Sequence, residues 1–523
     1  MTKYLLRRLL HGIFSVVVVV AVVMILIYSL MDRNQVFAFD TNYTKQYSNS
    51  KTLYTYRAWS NYGYVDLYTY SNYLSMLLKD GEIDEETRDR VSSIGRKPKN
   101  DSEEVAEYVK KFTEYYEGQG YTVVRLDAVM KNKKSVKQGG QQQLFAYRDR
   151  PLYKRLIQYF SRVFTVDNIH NAEYVEGERG IKFTLHDPLY GGEKFAPAVI
   201  GNGTSYKYLL YTDNKFPFIH QNLVTIKLGT SYAVNRGIDV WQTMTQTQGS
   251  YVLRSITYPS GVTAEGSADL HSARYVEGSR EASDLNMQYF VDDYTNVISV
   301  NNGLSRMGYS FIIGIISVLL SYLIGIPIGI WMAQKENKLV DKIGSAYVVF
   351  ITAMPSLAYI FLVKAIGYKT GLPTTFDLQN GSWLMYVLPI VSLSLRPIAS
   401  LMRWLRRYMV DQQNSDYVKF ARSGGLSEGE IFRNHILKNA AIPIIHGIPG
   451  SILFSMVGAL ITERVYVVPG VGGLLIQAIN KYDNGVIVGV TMFYAVLSII
   501  SIILGDILMS VVDPRINFTT KAR

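Results

Sequence analysis

Apolar residues fall into six long runs separated by polar segments of very unequal length. The first, Leu9 to Leu30, contains the block Val16 to Val20. As a helix of about 22 residues it would cover roughly 33 Å, enough for a bilayer core. Lys3, Arg7 and Arg8 precede it, and the run is too long for the apolar region of a cleaved leader, so the pattern predicts an uncleaved signal anchor. Five further runs of spanning length follow at Gly308–Ala333, Ala346–Ile366, Trp383–Met402, Ala441–Ile461 and Val486–Val511. Gly325 and Gly329 flank Pro327 in the second run, a spacing that lets a neighbouring helix approach closely.

Between the first two runs lie about 274 residues, Asp32 to Ser305, which is the size of a domain rather than a loop. Asp101-Ser102-Glu103-Glu104 predicts a capped helix start. Val105, Tyr108, Val109, Phe112 and Tyr115 then recur at helical spacing as a core stripe, and Gly118–Gly120 ends the helix. Pro151–Phe164 predicts a second amphipathic helix, and Lys131–Gln143 an exposed loop. Strand patterns occur at Tyr121–Val124, Ile181–Leu185, Leu223–Lys227 and Tyr251–Tyr258, so a mixed α and β domain is expected. Its many tyrosines, such as Tyr54, Tyr62 and Tyr70, suit a structural core, a protein contact or a rest on headgroups.

Charge fixes the orientation. The chain carries 54 Lys+Arg against 43 Asp+Glu, a formal net of +11. The Asp32–Ser305 segment holds 32 of each sign, so the whole excess belongs to the apolar part. Sixteen of the 22 remaining cations, among them Lys335, Arg406, Arg422, Lys438 and Arg515, fall in segments that a six-span reading places on one side. That is the positive-inside pattern of a multi-pass protein with both termini cytoplasmic, not a nucleic-acid face. The expected architecture is an α-helical polytopic membrane protein with six transmembrane helices and a large mixed α/β extracellular domain. Its parts are residues 1–31 with the first helix, an outer domain 32–305, and a core 306–523 with a cytoplasmic loop 403–440.

Enzymatic chemistry is hard to find. Cysteine is absent, which excludes disulfides and thiolate metal sites. The seven histidines form no metal-ligand spacing, and neither a nucleophile elbow nor a phosphate-binding GxxxxGK[ST] loop is present. The expectation is no catalytic residue, no metal and no cofactor on this chain. Arg396, inside the fourth run, is a candidate transport-pathway residue. The alternative is a snorkelling or helix-pairing arginine.

The loop 403–440 is the most patterned polar segment. A short helix around Tyr417–Arg422 runs to a Gly424-Gly425 break, and Ser427-Glu428-Gly429-Glu430 starts a second helix expected to end before Pro443. A rigid element of this kind passes movement from a cytosolic motor to membrane helices; the alternative is an interfacial amphipathic segment.

Three patches resemble the permease subunits of oligopeptide ABC importers, in the long-extracellular-insert branch of Gram-positive bacteria (Ami/Opp-type). They are Asp416–Glu428 continuing through His435–Ala440 and Pro443, the segment Glu463-Arg464-Val465-Tyr466-Val467-Val468-Pro469-Gly470-Val471-Gly472-Gly473, and Val512-Asp513-Pro514-Arg515. Leu228-Gly229-Thr230-Ser231 is similar to an outer element of the family that usually lies close before the second span. The stretch Lys207 to Asn222 fits the long-insert relatives. The resemblance implies a type I importer permease fold and an ATPase-coupling loop at Lys419, Phe420, Ala421, Gly424, Gly425, Leu426, Ser427, Glu428, His435 and Pro443. The family's Glu-Ala-Ala is here Lys419-Phe420-Ala421. It also implies an outer pore segment at Glu463, Pro469, Gly470 and Gly472. The implied partners are a second homologous permease, two cytosolic ATPases that bind ATP and Mg, a substrate-binding lipoprotein, peptide cargo and membrane lipids. Nickel or glycopeptide import, or a membrane-anchored sensor, are the alternatives.

Overall fold

The computed structural model describes residues 2–95, 97–127, 130–131, 134–135, 143–166, 168–171, 175, 177–186, 198–204, 208–212, 217–219, 224–246, 248, 251–252, 254–257, 263–266, 300–301, 303–378 and 381–512. Most of Lys131–Gln143, parts of Lys207–Asn222 and Asp513-Pro514-Arg515 lie outside the described residues.

The chain opens with helix α1 (Thr2–Leu30). Val16, Val20 and Met24 are buried along one side, while Val18, Val22 and Leu26 are exposed on the other, as expected of a helix with a lipid-facing stripe.

The insert that follows is mixed α and β. Its described elements include α2 (Ser48–Asn61), β1 (Val65–Thr69), α3 (Tyr70–Lys79), α4 (Glu103–Gly118), β2 (Thr122–Arg125), β3 (Leu144–Asp149) and α5 (Leu152–Arg162). Strands β4 (Phe164–Val166), β5 (Gly180–Thr184), β6 (Ala198–Asn202), β7 (Tyr208–Thr212), β8 (Pro217–Ile219) and β9 (Val224–Ile226) come next, then helix α6 (Val240–Thr245). Strand β3 is the centre of an antiparallel sheet in the order β1-β3-β2, with Val65 opposite Asp149 and Thr122 opposite Tyr147. A second sheet runs β8-β7-β6-β5, and β9 pairs with β4. Tyr251–Val252 and Arg254–Thr257 are strands within the expected run Tyr251–Tyr258.

The Ser102 hydroxyl accepts from Val105 N at the start of α4, as the sequence predicted. Val105, Phe112 and Tyr116 are the buried residues of that helix, whereas Tyr115 is exposed, so the stripe is turned by one residue at its end. Tyr70, Tyr73 and Phe112 meet in edge-to-face contacts, which makes these tyrosines core rather than contact surface.

The second part is helical: α7 (Arg306–Gln334), α8 (Leu339–Ala353), α9 (Ser356–Lys369), α10 (Val387–Gln413), α11 (Asp416–Ser423), α12 (Glu428–Ile431), α13 (Leu437–Tyr466), α14 (Val471–Asn480) and α15 (Asn484–Val512). Among the described residues five helices are long and apolar enough to cross a membrane, α1, α7, α10 with its preceding turn, α13 and α15, and the bent pair α8–α9 makes six if it is one broken span. The expected third span, Ala346–Ile366, is not one helix: α8 and α9 meet at 111°. Met354 and Pro355 are both extended there, as the clash between a proline ring and the preceding residue dictates.

Pro327 and Pro397, by contrast, lie inside continuous helices. Neighbouring helices support these positions. Gly325 and Gly329 do admit a close neighbour: a Cβ there would lie 3.1 Å from that of Leu401 and 3.2 Å from that of Leu405, both on α10. Ser321 donates across the same seam to the Ser394 carbonyl at 3.2 Å. Helix α1 is tied to α15 by Arg8 and Asp506 at 2.8 Å, with Tyr4 donating to the same carboxylate at 3.2 Å.

Candidate functional site

The loop 403–440 is built from the end of α10. Ser415 leads into α11, whose Val418 and Ala421 are buried with Leu405, Met409, Ile431 and Ile436. Tyr417 hydrogen-bonds the Gln412 side chain at 2.7 Å and accepts from Asn439 at 3.2 Å, which ties α11 to the helices before and after it. Gly424 and Gly425 then reverse the chain. The φ of Gly425 is +83°, a conformation that costs a side-chain-bearing residue about 1–2 kcal/mol. Ser427 caps α12 in a reciprocal capping box with Glu430, and Glu428 pairs with Arg422 across the turn. Arg422 holds the Glu428 carboxyl below its usual range.

The eight clustered site residues from Lys419 to Glu428 divide by exposure. Ala421 points inward, whereas Phe420 is 80% exposed, an aromatic ring standing out of a polar turn. Lys419 is exposed beside it and paired with Asp416 at 2.9 Å. Leu426 is also exposed. His435 lies in a π-helical turn, Phe432–Ile436, with its ring 6.3 Å from that of Tyr417.

The second helix of the loop does not end before Pro443. It continues through Pro443 and Pro449 to Tyr466. Each proline removes one backbone bond, but Ala440 and Ile444 are buried against α10 and α11 and hold the helix through the first of them.

That continuity matters because α13 carries the second group of site residues at its far end. Thirty residues of helix put about 45 Å between the two ends. Glu463, only 1% exposed, accepts from Ser310 Oγ at 2.6 Å and from Gly473 N at 2.7 Å, and Ser310 in turn accepts from Val471 N at 2.9 Å. The carboxylate therefore sits on the N-terminus of α14, where unpaired backbone N–H groups and the helix dipole favour negative charge. Gly470 and Gly472 are there because a Cβ at Gly470 would overlap the Glu463 carboxyl, and one at Gly472 would lie 2.9 Å from its Oε2. Pro469 is half-buried just before this turn. Gly470→Ala is expected to destabilise the protein by about 1–3 kcal/mol through overpacking. The check is a thermal melt of the detergent-solubilised protein against Gly429→Ala, where a Cβ meets nothing within 4 Å.

Arg396 is exposed on α10, in one helical stripe with Ser400, Arg403 and Arg407. It makes no hydrogen bond or ion pair among the described residues, so it is not a helix-pairing arginine within this chain.

The sequence reading missed several buried carboxylates, among them Asp341 and Asp483. Asp341, on α8, pairs with Arg406 of α10, and Asp483 lies in the turn before α15. Asp483 accepts from Ser231 Oγ at 2.7 Å and from the backbone N–H groups of Tyr232, Ala233 and Val234 at 2.8–2.9 Å. Leu228-Gly229-Thr230-Ser231 is thereby laid against α15, where Gly489 leaves room for the Leu228 carbonyl and Gly485 for that of Thr230. The signal available was Asp483 itself, a carboxylate at the edge of an apolar run. Its partner is 252 residues away.

Residues 325–518 match the family described as binding-protein-dependent transport system inner membrane component. Over its whole length the chain is 32% identical to the oligopeptide transport system permease protein AmiC of Streptococcus pneumoniae, with 99% of that protein covered. The dipeptide transport system permease protein DppB of Lactococcus lactis is 30% identical over 43% of this chain and 74% of its own length. The DppB of Bacillus subtilis is also 30% identical, over 43% of this chain. The chain belongs to the binding-protein-dependent transport permeases, and it is a multi-pass membrane protein.

Proposed function

We propose that this chain is a permease subunit of an ATP-driven oligopeptide importer and forms half of its pore beside a second, homologous permease. Full-length similarity to an oligopeptide permease supports the cargo. The observation that carries the coupling role is the exposed Phe420 on α11, a rigid element packed on α10 and α13.

Two cytosolic ATPases supply ATP and Mg chemistry and press on α11, with Lys419, Phe420 and Leu426 as the contact surface and Ala421 as its buried footing. Gly424, Gly425, Ser427 and Glu428 hold the turn, while His435 and Pro443 lie where the movement enters α13. That helix carries the displacement to Glu463, Pro469, Gly470 and Gly472, the packed turn that supports the outer pore segment. A substrate-binding lipoprotein delivers peptide at the face that bears the insert. Both termini lie in the cytoplasm of a Gram-positive cell, in keeping with the distribution of cations, and Arg396 faces the pathway between the two permeases.

The test is reconstitution of the purified complex in vesicles loaded with ATP on the ATPase side. ATP-dependent accumulation of a labelled oligopeptide on that side is expected. Accumulation of nickel in place of peptide would overturn the cargo, and ATP hydrolysis without accumulation of either would overturn the pore role.

A further inference from the structure

A cavity of about 660 Å³ opens where the insert meets the outer ends of α1 and α15. Its wall is divided by chemistry. Arg155, Arg162 and Lys227 supply cations, and none of the three has an ion-pair partner within 4 Å among the described residues. A fourth cation, Arg150, is taken up by Asp66 at 2.5 Å. The carboxylate of the wall, Asp239, is occupied in capping α6, where it accepts from Trp241 N at 2.8 Å. Met24 of α1 and Val488 of α15 supply an apolar side.

Arg155 is fixed rather than loose. It donates to the carbonyls of Arg150 and Tyr64 at 3.0 and 2.9 Å, and its guanidinium lies 4.7 Å from the Tyr64 ring centre. Burial holds its pKa below the ordinary arginine value, so an anion beside it would relieve a real cost.

The depth of the cavity identifies its ligand. Tyr159 of α5 reaches Met492, about 12 Å along α15 from its outer end, and Met24 is about 9 Å from the outer end of α1. Helix α5 therefore lies at the level of the outer leaflet. Tyr153 and Ile157 of α5 stand exposed four residues apart, and exposed Phe164, Val166 and Val224 of the β4–β9 ribbon continue the apolar surface. A basic amphipathic helix with such a stripe lies in the interface plane of a membrane. Tyr28, Tyr62, Tyr64 and Tyr232 pack together at the same level, with the Tyr28 and Tyr232 hydroxyls 3.3 Å apart, and Tyr28, Tyr62 and Tyr232 give the cavity a polar aromatic floor.

We infer that this cavity binds an anionic phospholipid of the outer leaflet, its phosphate between Arg155, Arg162 and Lys227 and an acyl chain descending along Met24 and Val488. Helix α5 rests on the bilayer beside it, so the bound lipid joins the insert to the membrane. Basic pockets beside membrane helices recognise lipid phosphates by this chemistry.

The experiment uses the full chain, purified with its co-purifying partners in mild detergent, delipidated, incubated with equal phosphatidylglycerol and phosphatidylcholine, washed and assayed for retained lipid by mass spectrometry. About one phosphatidylglycerol per chain is expected over phosphatidylcholine by at least tenfold. The double variant Arg162→Gln, Lys227→Gln is expected to lose at least nine-tenths of it. Both residues are exposed rather than in the core, and Lys110→Gln, an exposed lysine of α4 that does not line the cavity, serves as a control that retains the lipid. Equal retention of the two lipids, or retention unchanged in the double variant, would overturn the proposal. Displacement of the lipid by glycerol phosphate at equal concentration would also overturn it, because the site would then take free phosphate and the apolar wall would contribute nothing.

Discussion

Phe420→Asp is expected to weaken capture of the ATPase subunits by about 30-fold and to bring ATP-driven peptide uptake close to background. An exposed aromatic anchor entering a partner's pocket contributes about 2 kcal/mol or more, and an aspartate there would also carry an unpaired charge into the contact. The ring makes no contribution to this chain's own core: the neighbours that hold α11 are Val418 and Ala421, on its other side. The melting midpoint of the isolated subunit should therefore stay within a degree or so of the parent while the ATPases are lost from a mild-detergent pull-down. Retention of both ATPases at parental levels would remove Phe420 from the coupling surface.

The second large effect is expected at Asp483. Alanine in its place leaves four backbone N–H groups, those of Tyr232, Ala233, Val234 and Val486, and the Ser231 hydroxyl without this acceptor in a site that excludes water. Each unmet donor costs about 1–3 kcal/mol, so a total loss of about 4 kcal/mol or more is expected even after partial relaxation. The Leu228–Ser231 segment should detach from α15. Limited proteolysis should cut between Ser231 and Gly237 in the variant and not in the parent, and the melting midpoint should fall by several degrees. Asp483→Asn keeps one acceptor oxygen and should fall between the two. An uncut alanine variant with a parental melt would show that the segment is held elsewhere.

How much of this was legible in the sequence depends on range. Local features were: the Ser102 cap, the Ser427–Glu430 capping box and the Gly425 turn follow from neighbours within a few residues. The Gly325–Gly329 spacing announced a close helix contact without naming α10 as its partner.

The break at Met354-Pro355 was hidden inside an apolar run that is long enough to span when read as a straight helix. Pro443 misled in the opposite direction, since packing carried the helix through it. Proline marks a weak point, and the surrounding helices decide whether the chain bends there.

Least legible was what joins the two halves. Arg8 with Asp506, Tyr64 with Asn484 and Ser231 with Asp483 are polar pairs whose members lie hundreds of residues apart. Each pair is chemically ordinary, and nothing in either local sequence names the other member.

Those distant pairs impose an order of events on biosynthesis. The insert emerges first, yet the acceptor for its Leu228–Ser231 segment and the glycines that receive it lie in the last helix. At about 5–20 residues per second, roughly 10 to 50 s separate synthesis of Ser231 from synthesis of Asp483. Throughout that interval the Ser231 turn must wait with its donors open to water. The arrival of α15 then fastens the insert and α1 together, through Asp483 and Asp506. A nascent chain that stops before α15 therefore presents the cell with an unfinished insert as well as a missing span, so one truncation leaves two defects for quality control to detect.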